Sequence, residues 1–211
     1  MKEIPADLPV HLNAVLLLAD GELFFGRGIG SHGTIFGEIC FNTSMTGYQE
    51  VMTDPSYAGQ VINFTFPHIG NVGTNAEDIE ATVPHARGLI VREPITYASN
   101  FRSESHFDHW LERHEITGIS GVDTRALTRY IRLKGPQNVA IQYIEEGKSF
   151  DFAALKQQLA GQPSLEGMDL ASMVTSSSSY SWKEGFWALG KSYTDGDGTG
   201  KHVVAIDYGE K

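Results

Sequence analysis

The chain has 211 residues, enough for one large domain or two small ones. Its content of 41% hydrophobic and 20% charged residues is that of a globular protein, and a formal net charge of −10 without a basic run argues against nucleic acid or anionic lipid as a partner. A single cysteine, Cys40, excludes an internal disulfide, and the short apolar run ending at Asp20-Gly21 is neither a membrane span nor a signal peptide, so the expected compartment is the cytoplasm.

The first third reads as β. Residues 12–18 form an apolar run, Asp20-Gly21 is a hairpin signal, and residues 22–25 return as a second strand. Further strands are expected over 35–41 and 60–66. Between them, residues 46–54 can form a short helix that stops before Pro55. A loop rich in Gly, Asn and Pro follows to Gly73, and residues 88–91 read as a short buried strand.

Then the period changes. Phe107, Trp110 and Leu111 lie at helical spacing within 103–114, and residues 118–120 make a brief strand. Asp123 is the expected N-cap of a helix with Ala126, Leu127, Tyr130 and Ile131 on one face, closed at Lys134-Gly135. A strand over 138–144 and a helix over 152–159 complete a mixed-layer α/β domain, residues 1–175. Residues 176–202 have the composition of a polar, flexible linker. Residues 202–209 read as a buried strand ending in a turn, expected to open a second domain at 203–211 whose remainder is missing.

Most chemistry-bearing motifs have plainer explanations. Gly28-Ile29-Gly30-Ser31-His32-Gly33 matches G-x-G-x-x-G, but a strand rather than a helix follows, which favours a Gly-rich β-turn over a dinucleotide site. The segment from Asp195 to Gly200 resembles the start of an EF-hand loop, yet its twelfth position is Ile206 where a glutamate is required. His106 and His109 could chelate zinc from one helix with His114 nearby, but no third ligand suggests itself, and an exposed polar face is the simpler reading. Cys40 sits inside a strand pattern, as a buried inert thiol does, rather than at a helix N-terminus. No G-x-S-x-G elbow and no G-x-x-x-x-G-K-[ST] loop is present.

The polar stretch FNTSMTGYQEVMTDPSYAGQ, residues 41–60, is different. Within it Asp54-Pro55-Ser56-Tyr57 is a stiff turn: Pro55 fixes φ, Asp54 can cap it, and Ser56 is presented on a rigid backbone. From the residues alone, Ser56 either satisfies the turn's own backbone, the favoured alternative, or offers its hydroxyl to a ligand.

That stretch, together with FPHIGNVGTN, ASNFR, GISGVDTRALTRYIRLKG, GMDLASMVT and the closing HVVAIDYGEK, resembles the small subunit of carbamoyl-phosphate synthetase from about Ala14 to the last residue. The resemblance implies a swivelling β/β/α layered N-terminal domain, followed by the first strand of a class I glutamine amidotransferase domain. It implies that the intact subunit hydrolyses glutamine and delivers ammonia to a large subunit. That partner uses ATP, metal ions and bicarbonate to make carbamoyl phosphate for arginine and pyrimidine synthesis. It places the nucleophilic cysteine on a G-x-C-x-G elbow that these 211 residues do not contain, so no catalytic residue, cofactor or metal ligand is expected among them. One family position maps here: Ser56, as part of the glutamine pocket, which reverses the preference above. Cys40 and Val139 depart from the family pattern, where an aliphatic residue and a glycine are more usual. Two rival readings remain: a non-catalytic docking module for the large subunit, and a stand-alone enzyme using Cys40 or the histidines.

Overall fold

The computed structural model describes residues 12–196 and 198–208. Two compact units divide the chain, the first ending at Met168 and the second beginning at Asp169.

In the first unit, β1 (Ala14–Leu18), β2 (Leu23–Gly30) and β3 (Gly33–Asn42) are followed by α1 (Tyr48–Thr53), a single 3-10 turn (Pro55–Tyr57) and β4 (Gln60–Phe64). Next come β5 (Gly88–Ile90), α2 (Phe107–Arg113), β6 (Thr117–Ser120), α3 (Thr124–Lys134), β7 (Asn138–Tyr143) and α4 (Phe152–Ala160). The α/β class expected from the sequence is therefore present. The seven strands close into a barrel in the order β1-β2-β6-β5-β4-β3-β7, a closure that the order of elements along the chain does not reveal.

Pairing direction dictates where the helices go. β1 pairs antiparallel with β2 and β7, so a tight turn at Asp20-Gly21 suffices between β1 and β2. β3 pairs parallel with β4, β4 with β5 and β5 with β6, so the chain must cross the outside of the barrel between each pair. The first crossover, residues 43–59, is the polar stretch with α1 and the Asp54–Tyr57 turn. The second, residues 65–87, holds no named helix or strand, and the third carries α2.

One face of the strands fills the barrel with Leu16, Leu18, Ile39, Val61, Ile90, Ile119, Val139 and Ile141, and α3 contributes Leu127 and Ile131 to the same core. Asp123 caps α3 as expected, its carboxylate accepting the Ala126 N–H at 3.1 Å, and Gly135 closes the helix at φ 88°. On the outside, α1 and α2 pack Tyr48, Met52, Phe107 and Leu111 against Ile62, Phe64 and Leu89. α4 lays Leu155 and Leu159 on Val15, Leu17 and Ala140. The two departures from the family pattern are absorbed in strands, Val139 fully buried in β7 and Cys40 half-buried in β3.

The second unit contains a short helix, α5 (Ala171–Val174), and an antiparallel hairpin of β8 (Glu184–Ala188) and β9 (Ser192–Asp195). The region expected to be flexible linker thus holds a hairpin, with Gly190 at φ 75° in its loop. The buried strand expected over 202–209 is not formed: residues 202–208 pair with no strand, and Val203, Val204 and Ile206 are exposed. An apolar run alone cannot make a strand without a partner for its backbone groups. Gly209 lies outside the described residues.

Candidate functional site

The Asp54–Tyr57 turn is built as a pedestal. Asp54 is nearly buried, and its carboxylate accepts the Ser56 N–H at 2.8 Å. The Tyr57 N–H donates to the Asp54 carbonyl and the Ala58 N–H to the Pro55 carbonyl, each at 3.0 Å. The Tyr57 hydroxyl accepts from Asn42 Nδ2 at 3.1 Å, tying the turn back to β3. Asp54 thus satisfies the turn, and Ser56 does not have to. Ser56 is exposed, and its hydroxyl forms no hydrogen bond with the described residues.

The helix feeding this turn is anchored along its length. The Tyr48 hydroxyl donates to the Gly73 carbonyl at 2.7 Å and accepts the Val72 N–H at 3.0 Å, and its ring lies 4.6 Å from that of Phe107. Gln49, almost fully buried, exchanges hydrogen bonds with the backbone of Asn75 at 2.7 and 3.0 Å. Thr53 accepts the Glu80 N–H at 2.9 Å. Fully satisfied buried polar groups of this kind fix one conformation, so Ser56 is held by a frame reaching from β3 to the 72–80 loop.

At the other end of α1 lies a cleft of about 280 Å³, lined by Thr46, Gly47, Glu50, Asp78, Asn100 and Arg102 among others. Arg102 pairs with Glu77 at 3.3 Å and with Asp78. Burial pushes the Glu50 carboxyl above its ordinary range, with Asp78 and Glu80 adding to the effect and its own backbone N–H and, less, Arg102 opposing it. Sequence reasoning did not single out this cleft. Its one available signal was a charged Glu50 next to the core-facing Tyr48 and Gln49 on a six-residue helix.

The other candidates fall apart in space. Gly28 and Gly30 lie in β2 with no helix opening behind them. Asp197 of the EF-hand-like segment lies outside the described residues. His106 spends Nδ1 on the Asp108 N–H at 3.3 Å as the cap of α2, while His114 packs on Trp110 with ring centroids 4.5 Å apart. The His106 and His109 rings are 5.7 Å apart, and among the described residues no three His, Cys, Asp or Glu side chains converge on a point. Burial, helped by Glu38, pushes the Cys40 thiol up to about 12. At pH 8 Cys40 should therefore react with an aromatic disulfide reagent at a small fraction of the rate seen in denaturant. Labelling of the native chain at the unfolded rate would contradict that environment. Among the described residues no helix is long and apolar enough to cross a membrane.

Residues 16–141 match the family described as carbamoyl-phosphate synthase small chain, CPSase domain. The chain is 54% identical over 197 residues to a carbamoyl phosphate synthase small chain of Zymomonas mobilis, a match covering 93% of this chain and 52% of the relative. A protein of the same description from Bradyrhizobium diazoefficiens is 54% identical over 202 residues, with 94% and 51% covered. One from Ruegeria pomeroyi is 52% identical over 198 residues, again with 94% and 51% covered. The chain spans about half the length of these curated relatives. A barrel domain matched over most of its strands, with whole-chain identity near one half, places this chain in the carbamoyl-phosphate synthase small chain family.

Proposed function

We propose that this chain is the N-terminal part of a small subunit that hydrolyses glutamine and passes ammonia to a large subunit for carbamoyl phosphate synthesis, in arginine and pyrimidine formation in the cytoplasm. The large subunit would use ATP, metal ions and bicarbonate, and this chain would hold no cofactor of its own. In the swivelling-domain reading, the barrel with its outer helices serves as the β/β/α layered body, and residues 203–211 begin the amidotransferase domain. Ser56 donates or accepts one hydrogen bond at the glutamine. The observation that carries this reading is the Ser56 hydroxyl, exposed on a turn whose backbone Asp54 already satisfies. A hydroxyl placed that rigidly loses little entropy when it binds.

Hydrolysis itself needs an activated nucleophile. The only cysteine here has its thiol held protonated in β3, away from any G-x-C-x-G elbow. The 211-residue chain should therefore release no glutamate from glutamine, whereas a chain extended to the length of the relatives should turn it over. Release by the 211-residue chain that is abolished by Cys40→Ala would overturn the reading. A second role, docking to the large subunit, is favoured by exposed apolar side chains such as Met45 and Phe101 on the face that carries α1.

A further inference from the structure

Glu50 is the oddest ionisable group in the first unit. Its carboxylate stands partly desolvated in the wall of the 280 Å³ cleft. Among the described residues it has no ion pair and no hydrogen bond to another side chain. Arg102, which lines the same cleft, pairs with Glu77 and Asp78. Asp78 and Glu80 add to the negative potential at Glu50. Its carboxylate is met by its own backbone N–H but by no cation of its own, and a partly desolvated charge held that way favours a cationic ligand.

The cleft has the chemistry to accept a cation. Besides Glu50 its wall carries the hydroxyl of Thr46 and the carboxylate of Asp78, while Asn100 Oδ1 already accepts the Arg102 backbone N–H at 2.9 Å, and an ammonium or guanidinium group brings only donors. Flanking it in the chain are Met45, 65% exposed, next to Thr46, and Phe101, 80% exposed, between Asn100 and Arg102. A free small cation has no use for such apolar neighbours. A long basic side chain standing on a protein surface does, because its head can enter the cleft while the surface around it covers Met45 and Phe101. The net charge of −10 steers a basic surface toward this chain.

We propose that the cleft at the head of α1 receives the head group of a lysine or arginine from a partner chain, with Glu50 as its counter-ion. The partner is the large subunit, so this step rests on the functional reading above. The cleft and Ser56 lie at opposite ends of α1, so docking and the glutamine turn share one rigid element.

The test pairs the full-length small chain with its large chain and compares Glu50→Gln with Glu146→Gln, an exposed control outside the cleft. Glu50→Gln should weaken association about tenfold and flatten its salt dependence, while Glu146→Gln changes neither. Glu50→Gln should also leave the protein at least as stable as before. Because the folded state holds the Glu50 proton more tightly than the unfolded chain, this group favours the fold at low pH. That contribution is lost as pH rises through its raised pKa, and the glutamine variant escapes the loss. Wild-type affinity in Glu50→Gln, or an equal loss in Glu146→Gln, overturns the proposal and leaves the functional reading standing. Binding of free lysine that is abolished by Glu50→Gln while the complex is unaffected would overturn it in favour of a metabolite site. Failure of the wild-type chains to associate at all would overturn the partner reading with it.

Discussion

A Gly30→Ala variant should lose about 2 to 6 kcal/mol of stability, enough to unfold a domain of ordinary marginal stability. Gly30 ends β2 at φ 67°, where a residue with a Cβ is strained by about 1 to 3 kcal/mol. The added Cβ would also sit 2.2 Å from the Ile116 carbonyl oxygen and 2.9 Å from Leu111 Cβ, an overpacking of similar cost. Neither neighbour can give way easily. The Ile116 carbonyl accepts the Ser31 N–H at 2.9 Å, and the Gly30 N–H is held by Asp108 Oδ1 at 2.7 Å. Gly28→Ala would bring its Cβ within 2.1 to 2.4 Å of the Tyr143 ring, the Cγ at its base included, and that ring packs with its centroid 4.0 Å from that of His32, so this change should destabilise as well. These glycines therefore serve the packing of β2 against α2 and β7. Denaturant unfolding checks the claim: a Gly30→Ala chain as stable as wild type would contradict the close approach.

The same motif shows how far the sequence could be read. The literal G-x-G-x-x-G pattern is followed by β3, the strand its sequence suggests, and its glycines lie in strand packing. Local signals such as the Asp20-Gly21 turn, the Asp123 cap and the apolar run of β1 were legible, each following from neighbouring residues. Barrel closure was not, because three of its pairings are parallel and join segments separated by crossovers that leave no mark on strand periodicity. The hairpin at Glu184–Asp195 was hidden because it lies within a stretch of polar runs and exposes its apolar residues, Phe186 and Leu189 among them, instead of burying one face. The apolar run at 203–206 was misleading for the opposite reason, since hydrophobicity calls for burial without supplying a partner strand.

The site was half legible. Asp54-Pro55-Ser56 announces a stiff turn in any sequence, and the structure adds that Asp54 frees the Ser56 hydroxyl by taking over the backbone hydrogen bond. The cleft beside Glu50 was not legible, because Asp78, Asn100 and Arg102 reach it from loops far along the chain.

Ser56→Ala should separate function from stability. The bond that defines the turn runs from the Ser56 backbone N–H to Asp54, so alanine keeps it, and unfolding should shift by no more than about 0.5 kcal/mol. At the proposed site, however, a polar group of bound glutamine would lose its partner, at about 1 to 3 kcal/mol. In transition-state terms that is a fall in kcat/KM of about 5- to 150-fold. A purely structural serine would move stability and activity together.

Steady-state glutaminase kinetics of the full-length small chain, paired with its large chain and carrying Ser56→Ala, test this most directly. The expected result is a kcat/KM for glutamine reduced about 5- to 150-fold with an unchanged unfolding midpoint. A kcat/KM for glutamine equal to that of the wild-type protein would contradict the role assigned to Ser56.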